Sequence, residues 1–166
     1  SMEELEPEMG RIRSDKILLA HGGGGQLSED LIRKVLLPRL GGHGDQALLD
    51  AAPFKVGPRW LCMTTDSYVV NPLFFPGGDI GKLAVCGTIN DLAVSGAQPF
   101  ALSLALILEE GFPIAALEGV IDSIGRTAEA NGVRIITGDT KTVEAGSADG
   151  LFINTTGLGL IETPLV

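Results

Sequence analysis

The sequence predicts an α/β or α+β domain in which one mixed β-sheet packs on helices. Three observations carry that expectation. Strand-length apolar runs alternate with stretches of helical periodicity, some neighbouring runs are joined by turns too short for a crossover, and no internal repeat is present. The chain has 166 residues, 45% of them hydrophobic, which suits a single domain able to bury a core.

Taken in order, residues 1–15 are polar and acidic, with Pro7 and Gly10, and read as a flexible N-terminal arm; Ser1, ahead of Met2, reads as an added residue. The folded domain is expected over 16–166. Lys16 to Ala20 is a short strand candidate that runs into His21 and the glycines Gly22 to Gly25. Ser28 is expected to cap a helix carrying Leu31, Ile32, Val35 and Leu36 at helical spacing, stopped by Pro38 and Gly41-Gly42. Ala47 to Val56 and Trp60 to Val70 read as strands joined at Gly57-Pro58. Pro76-Gly77-Gly78-Asp79 opens a long helix ending near Gly96, with Asp79 at its positive end. Gln98 to Leu108 reads as a strand, and Ile114, Leu117, Ile121, Ile124 and Ala128 form the stripe of an amphipathic helix closed by Asn131-Gly132. Val133 to Thr137 is the next strand. Asp149-Gly150 reads as a hairpin turn before the last strand, Leu151 to Leu160.

Composition narrows the function classes. A formal charge of −9 disfavours non-specific nucleic-acid binding, which depends on Lys and Arg neutralising phosphates. No apolar run reaches the roughly 18 residues that span a bilayer, and no signal-peptide pattern opens the chain, so a cytoplasmic protein without membrane attachment is expected. Cys62 and Cys86 both lie among apolar neighbours and read as buried thiols rather than a disulfide framework.

Four aspartates are the candidate chemistry. Asp66 and Asp139 follow apolar runs and are expected at strand ends, where open α/β sheets bind ligands; the competing reading is ordinary turn chemistry. Asp91 is the one carboxylate between Ile80 and Ala97, on a helix face otherwise made of Ala84, Thr88 and Ser95. Its alternative is a break cap or a surface ion pair. Asp50, in Leu48-Leu49-Asp50-Ala51, could simply end a strand. As a set, these carboxylates suit Mg²⁺, a hard cation that takes oxygen ligands alongside substrate phosphates. The glycine run, including Gly23 and Gly24, allows close backbone approach to an anion, although a hinge is an equal reading and no Lys-Ser/Thr follows as in a P-loop. His21 reads as a general base or a local hydrogen-bonding residue. Lys141, two residues from Asp139, is a better phosphate partner than Lys82, which reads as solvated.

Several motifs resemble the hydrogenase maturation protein HypE family. They are Ala20-His21-Gly22-Gly23-Gly24-Gly25, Thr64-Thr65-Asp66-Ser67-Tyr68-Val69-Val70, the block Pro72 to Lys82, the block Cys86 to Ala97, and Thr137-Gly138-Asp139-Thr140-Lys141. The resemblance runs from Ile17 to Ile161. It implies the N-terminal domain of the superfamily that includes aminoimidazole ribonucleotide synthetase, thiamine-monophosphate kinase and selenophosphate synthetase, with a β-barrel completed by homodimerisation. It also implies ATP and Mg²⁺ as cofactors, with Asp50, Asp66, Asp91 and Asp139 as metal carboxylates and Asn90 beside them; Gly23, Gly24, Asn90, Asp91 and Lys141 are the candidates for contact with the nucleotide. Proteins of this kind use ATP to dehydrate a carbamoyl group on their own C-terminal cysteine to thiocyanate, which supplies the cyanide ligand of [NiFe]-hydrogenase iron. The partners implied are HypF and the HypC–HypD complex. That cysteine and a second domain are not among these 166 residues, so the chain alone is expected not to complete the dehydration. The alternatives are a dimerisation and docking module without catalysis, or another ATP-dependent member such as selenophosphate synthetase or thiamine-monophosphate kinase. A selenophosphate synthetase would be expected to carry a Cys or selenocysteine with a nearby Lys in the glycine loop.

Overall fold

A computed structural model describes residues 16–41 and 48–162, which form two compact units divided after Leu48. The expected arm over 1–15, the first residue of the Ala47 to Val56 strand and Thr163 to Val166 lie outside the described residues.

In the first unit the expected strand Lys16 to Ala20 is instead an irregular approach to a single 3₁₀ turn, Leu19–His21. The reason is local. His21 Nδ1 accepts the Leu18 N–H at 2.8 Å, and a side chain that captures a backbone donor in this way competes with sheet pairing. Helix α1 (Gly25–Leu31) then starts earlier than Ser28, which lies inside it and donates its Oγ to the His21 carbonyl at 2.8 Å. Gly24 and Gly25, at φ 80° and 75°, admit that early start. A π turn (Ile32–Leu36) leads into α2 (Leu37–Leu40), so Pro38 does not stop the helix. The π turn immediately before it interrupts the regular i→i−4 ladder, which a proline cannot join. Gly41, at φ 72°, ends the segment.

The second unit holds a five-stranded sheet in the order β1-β2-β7-β5-β6, with β1 Ala52–Val56, β2 Arg59–Tyr68, β5 Gln98–Glu109, β6 Arg134–Val143 and β7 Leu151–Ile161. All pairings are antiparallel except β5 with β6, so the sheet is mixed, as expected. Helix α4 (Ile114–Ala130) makes the crossover between the parallel pair. Gly57 turns the β1–β2 hairpin. A small ribbon, β3 (Phe74–Phe75) with β4 (Gly78–Asp79), precedes α3 (Ile80–Val94) and escaped the sequence reading because two-residue strands leave no periodic signal. Asp79, expected at the positive end of α3, also caps it, its carboxylate accepting from the amides of Gly81 at 2.7 Å and Lys82 at 3.1 Å.

Asp149-Gly150 does not turn a hairpin. β7 pairs with β2 and β5, while β6 pairs with β5 on its other side, so the connection over 144–150 passes across the end of β5. Glu109 holds that connection by accepting from the amides of Gly146 and of Gly150, the latter at 2.9 Å. The apolar, strictly alternating β7 gains more from a central place than from an edge beside β6, whose residues are nearly all exposed.

Both long helices lie on one face of the sheet. The core gathers Ile80, Ala84 and Val85 of α3, Val120 and Ile124 of α4, Leu102 and Leu106 of β5, and Leu151 and Ile153 of β7. Gly157 on β7 makes the seating of α3 possible: a Cβ there would stand 2.7 Å from Thr88 Cγ2 and 2.9 Å from Leu92 Cδ1. No described helix is long and apolar enough to cross a membrane.

Candidate functional site

Along β2, alternate residues Cys62, Thr64, Asp66 and Tyr68 face the helices, because strand side chains alternate between faces. Across from them, the small residues of α3 let the helix approach closely, and this brings Asp91 to Thr64. Thr64 Oγ1 lies 3.1 Å from Asp91 Oδ2 and 2.8 Å from the carbonyl oxygen of Asp50. One hydroxyl proton is therefore shared between two acceptors, and the strand, the helix and the segment before β1 meet at a single side chain.

Asp91 binds its proton more tightly than an ordinary aspartate. Partial burial is the main cause, offset by the Thr64 hydrogen bond and then reinforced by the negative charges of Asp66 and Asp50. Among the described residues, no cation contributes to its state. Tyr68 responds to the same charges. Its phenol is pushed up to about 12, chiefly by burial, with the Thr88 hydrogen bond acting in the opposite sense and Asp66 and Asp91 adding to the rise. Beneath the carboxylates, the Thr88 hydroxyl donates to Ala84 O at 2.9 Å and contacts Thr155 Oγ1 and, at 3.2 Å, the Tyr68 hydroxyl. This buried hydroxyl network under Asp66 and Asp91 went unrecognised in the sequence. The period-two spacing of Thr64, Asp66 and Tyr68 was the available signal.

Asp139 stands apart. It lies in the middle of β6 rather than at a strand end, because the strand continues past Thr137 to Val143. Three strand steps separate it from Asp66 through β7 and β5, about 14 Å at the usual strand spacing. The register also puts it on the other face: Asp66 is opposite Thr155, whereas Asp139 is opposite Ala105, which is opposite Asn154. Lys141 Nζ reaches both Asp139 oxygens at 3.2 Å. That hydrogen bond, then the lysine's charge and the Thr140 amide, holds the Asp139 carboxyl below the usual aspartate range. The structure thus draws Asp50, Asp66 and Asp91 into one electrostatic neighbourhood and leaves Asp139 with its own lysine. Among the described residues, no three His, Cys, Asp or Glu side chains are close enough together to hold a metal ion. Asp50, Asp66 and Asp91 are near enough to repel one another, and uncompensated oxygen donors of that kind are what a divalent cation would draw together.

The remaining candidates are placed as follows. Asn90 is exposed on α3 beside Asp91. Gly23 and Gly24 are exposed in the first unit, with no atom within 4 Å of where a Cβ would stand. His21 is buried at 4% exposure, and its Nε2 has no hydrogen-bond partner. A buried donor left unpaired costs about 1–3 kcal/mol, so this atom is notable. Lys82 is exposed and donates to Gly77 O at 3.0 Å. Cys62 is fully buried in β2, where burial raises its thiol pKa, and Cys86 is half-buried in α3.

Comparison with known proteins places this geometry. The chain is 54% identical over 153 residues to the carbamoyl dehydratase HypE of Rhodobacter capsulatus, which covers 90% of this chain and 45% of that protein. A crystal structure of a HypE–HypF complex superposes with a TM-score of 0.72 at 47% identity, covering 80% of this chain and 43% of that one. A crystal structure of hydrogenase maturation protein HypE in complex with ATP matches at 48% identity and a TM-score of 0.62, covering 89% of this chain and 44% of that one. The chain spans somewhat under half the length of the curated relatives it matches. The family model described as AIR synthase related protein, N-terminal domain, matches residues 44–161, nearly the whole second unit with its sheet and carboxylates. On the fold, the sequence and the site together, the chain belongs to the AIR synthase related protein family, as its N-terminal domain.

Proposed function

We propose that this chain is the ATP- and Mg²⁺-binding, dimerising part of a cytoplasmic [NiFe]-hydrogenase maturation factor. The observation that carries the reading is the state of Asp91, half-buried among like charges with no described cation to offset them. Asp50, Asp66 and Asp91 would hold the magnesium ion, and Asn90 would flank it. Asp139, three strands away on the other face and paired with Lys141, would stand outside that group, while Gly23 and Gly24 would face the nucleotide phosphates. Magnesium supplies charge neutralisation for the phosphates when bound. Thr64 fixes the Asp91 carboxylate in orientation, and the buried hydroxyls of Thr88, Thr155 and Tyr68 keep the strand and helix beneath it in register. The full protein would transfer a phosphoryl group to the oxygen of a cysteine-bound carbamoyl group. That turns a poor leaving group into a good one and leaves thiocyanate. Cys62 and Cys86 sit within β2 and α3, so neither suits the mobile carrier role, and the carrier thiol is assigned to a tail beyond these residues.

The second face of the sheet suits the proposed homodimer. It carries Phe152, Leu158 and Leu160 of β7 and Met63 of β2, on the side away from α3 and α4. Pairing two such faces would complete a barrel and remove apolar surface from water. HypF and the HypC–HypD complex are the proposed partners for loading the carbamoyl group and accepting the cyanide. The likeness of this chain to HypE crystallised in complex with HypF supports the first of them. Calorimetric titration of the chain with ATP tests the core of the reading. Binding is expected to need Mg²⁺ and to weaken by on the order of tenfold in Asp91→Asn. ATP binding indifferent to both chelation and that substitution would overturn it.

A further inference from the structure

Tyr68 is the only tyrosine of the chain, and its side chain is buried on the helix-facing side of β2. Its hydroxyl reaches α3 because residue 87 is a glycine: a Cβ there would collide with the phenol oxygen. That oxygen lies 3.2 Å from Thr88 Oγ1. Asp66, two residues earlier on the same strand face, is its second hydrogen-bonding neighbour. Thr88 Oγ1 also contacts Thr155 Oγ1, and Thr155 pairs across the sheet with Asp66. Three hydroxyls thus lead from the buried side of the sheet to one carboxylate. The phenol proton goes to Asp66, because a hydrogen bond to an ionised acceptor is roughly twice as strong as one between neutral groups. Thr88 then shares its own proton between Ala84 O, at 2.9 Å, and the phenol oxygen.

We propose that Tyr68 is a positioning residue of the magnesium site, its hydroxyl fixing the Asp66 carboxylate that would ligate the ion. This rests on the magnesium reading above and deepens it, adding a role in the site to the part Tyr68 plays in the register of β2 and α3. The Ser67 amide donates to Asp66 Oδ1 at 2.9 Å, and one donor alone leaves a carboxylate free to turn about that bond. The phenol, donating to the other oxygen, sets its plane, while each oxygen keeps a lone pair for a cation. Asp66 is then oriented by a hydroxyl of β2, as Asp91 is by Thr64. A carboxylate already oriented loses less freedom on taking up a metal, and hydrogen bonds to ligating groups are typically worth about ten- to a hundredfold in metal affinity.

Tyr68→Phe keeps the ring in the core and removes only the hydroxyl. Mn²⁺ is titrated into the wild-type chain and the variant, the free ion being followed by electron paramagnetic resonance, with thermal melts in parallel. The variant is expected to melt close to wild type and to bind Mn²⁺ about tenfold more weakly. A second readout is ultraviolet resonance Raman, whose tyrosine doublet reports how strongly a phenol donates and here reports a single residue. Adding Mg²⁺ to the wild-type chain is expected to shift that doublet, because a cation on Asp66 weakens it as an acceptor. Equal Mn²⁺ affinity in the two proteins overturns the proposal and leaves the magnesium reading in place. An affinity loss that tracks a falling melting temperature, or a doublet that ignores Mg²⁺, also overturns it and returns Tyr68 to packing alone. A wild-type chain that takes up no Mn²⁺ removes the magnesium reading, and this proposal with it.

Discussion

Asp91 and Asp139 are the same residue type in one sheet-and-helix unit, yet their protonation is pushed in opposite directions. Asp91 is half-buried against β2, and burial with the charges of Asp66 and Asp50 raises its pKa. Asp139 is exposed on the edge strand β6, and Lys141 lowers its pKa. The contrast teaches where an acidic residue is held ready for a cation and where it is already paired. A carboxylate whose charge is uncompensated in the fold gains from a metal; one that owns a lysine gains less.

That contrast depends first on α3 lying close to β7 and β2. Gly157→Val should disturb it most, because its side chain would meet Thr88 and Leu92. A loss of about 2–3 kcal/mol in stability is expected, read from the denaturant midpoint. A variant as stable as wild type would show that α3 can shift without cost, and that Asp91 is not fixed against Thr64.

A smaller effect is expected from pH. The folded pKa of Asp91 lies above the ordinary 3.8, so the folded chain holds that proton more tightly than the unfolded chain does. Its contribution to stability is fully present below the unfolded pKa and is lost as pH rises through the folded value. Asp91→Asn should remove this slope and, near neutral pH, raise the melting temperature of the metal-free chain slightly. Melting temperatures of both proteins from about pH 4 to 7 measure it. A wild-type curve parallel to that of the variant would erase the asymmetry between the two aspartates.

The smallest effect sharpens the other side. Lys141→Ala should let the Asp139 pKa return toward its ordinary value while leaving the melting temperature unchanged, because exposed ion pairs contribute little. Carbon-detected NMR titration of the Asp139 carboxyl reads the shift. A carboxyl that titrates as before would move the cause from the lysine to the backbone amide of Thr140.

Much of the second unit was legible because its signals are local or strongly periodic. Helix α4 shows its apolar stripe from Ile114 to Ala128, and Asp79 announces the start of α3 by a cap geometry that needs only the next three residues. The first unit was less legible. The apolar run before His21 looks like a strand, but the histidine's capture of the Leu18 amide turns it into a 3₁₀ approach. Pro38 looks like a stop, yet the π turn ahead of it places it where a proline fits. Asp149-Gly150 has hairpin chemistry, and only the competition for the sheet's centre decided that β7 inserts between β2 and β5.

By itself, then, the sequence determined the mixed α/β character, the order of the main helices and strands, and which aspartates were worth watching. These follow from periodicity, capping and turn chemistry, which act over a few residues. Tertiary structure alone decided that Asp50, Asp66 and Asp91 share a neighbourhood while Asp139 lies three strands away on the opposite face. Strand order and register arise from long-range burial, which no spacing along the chain records.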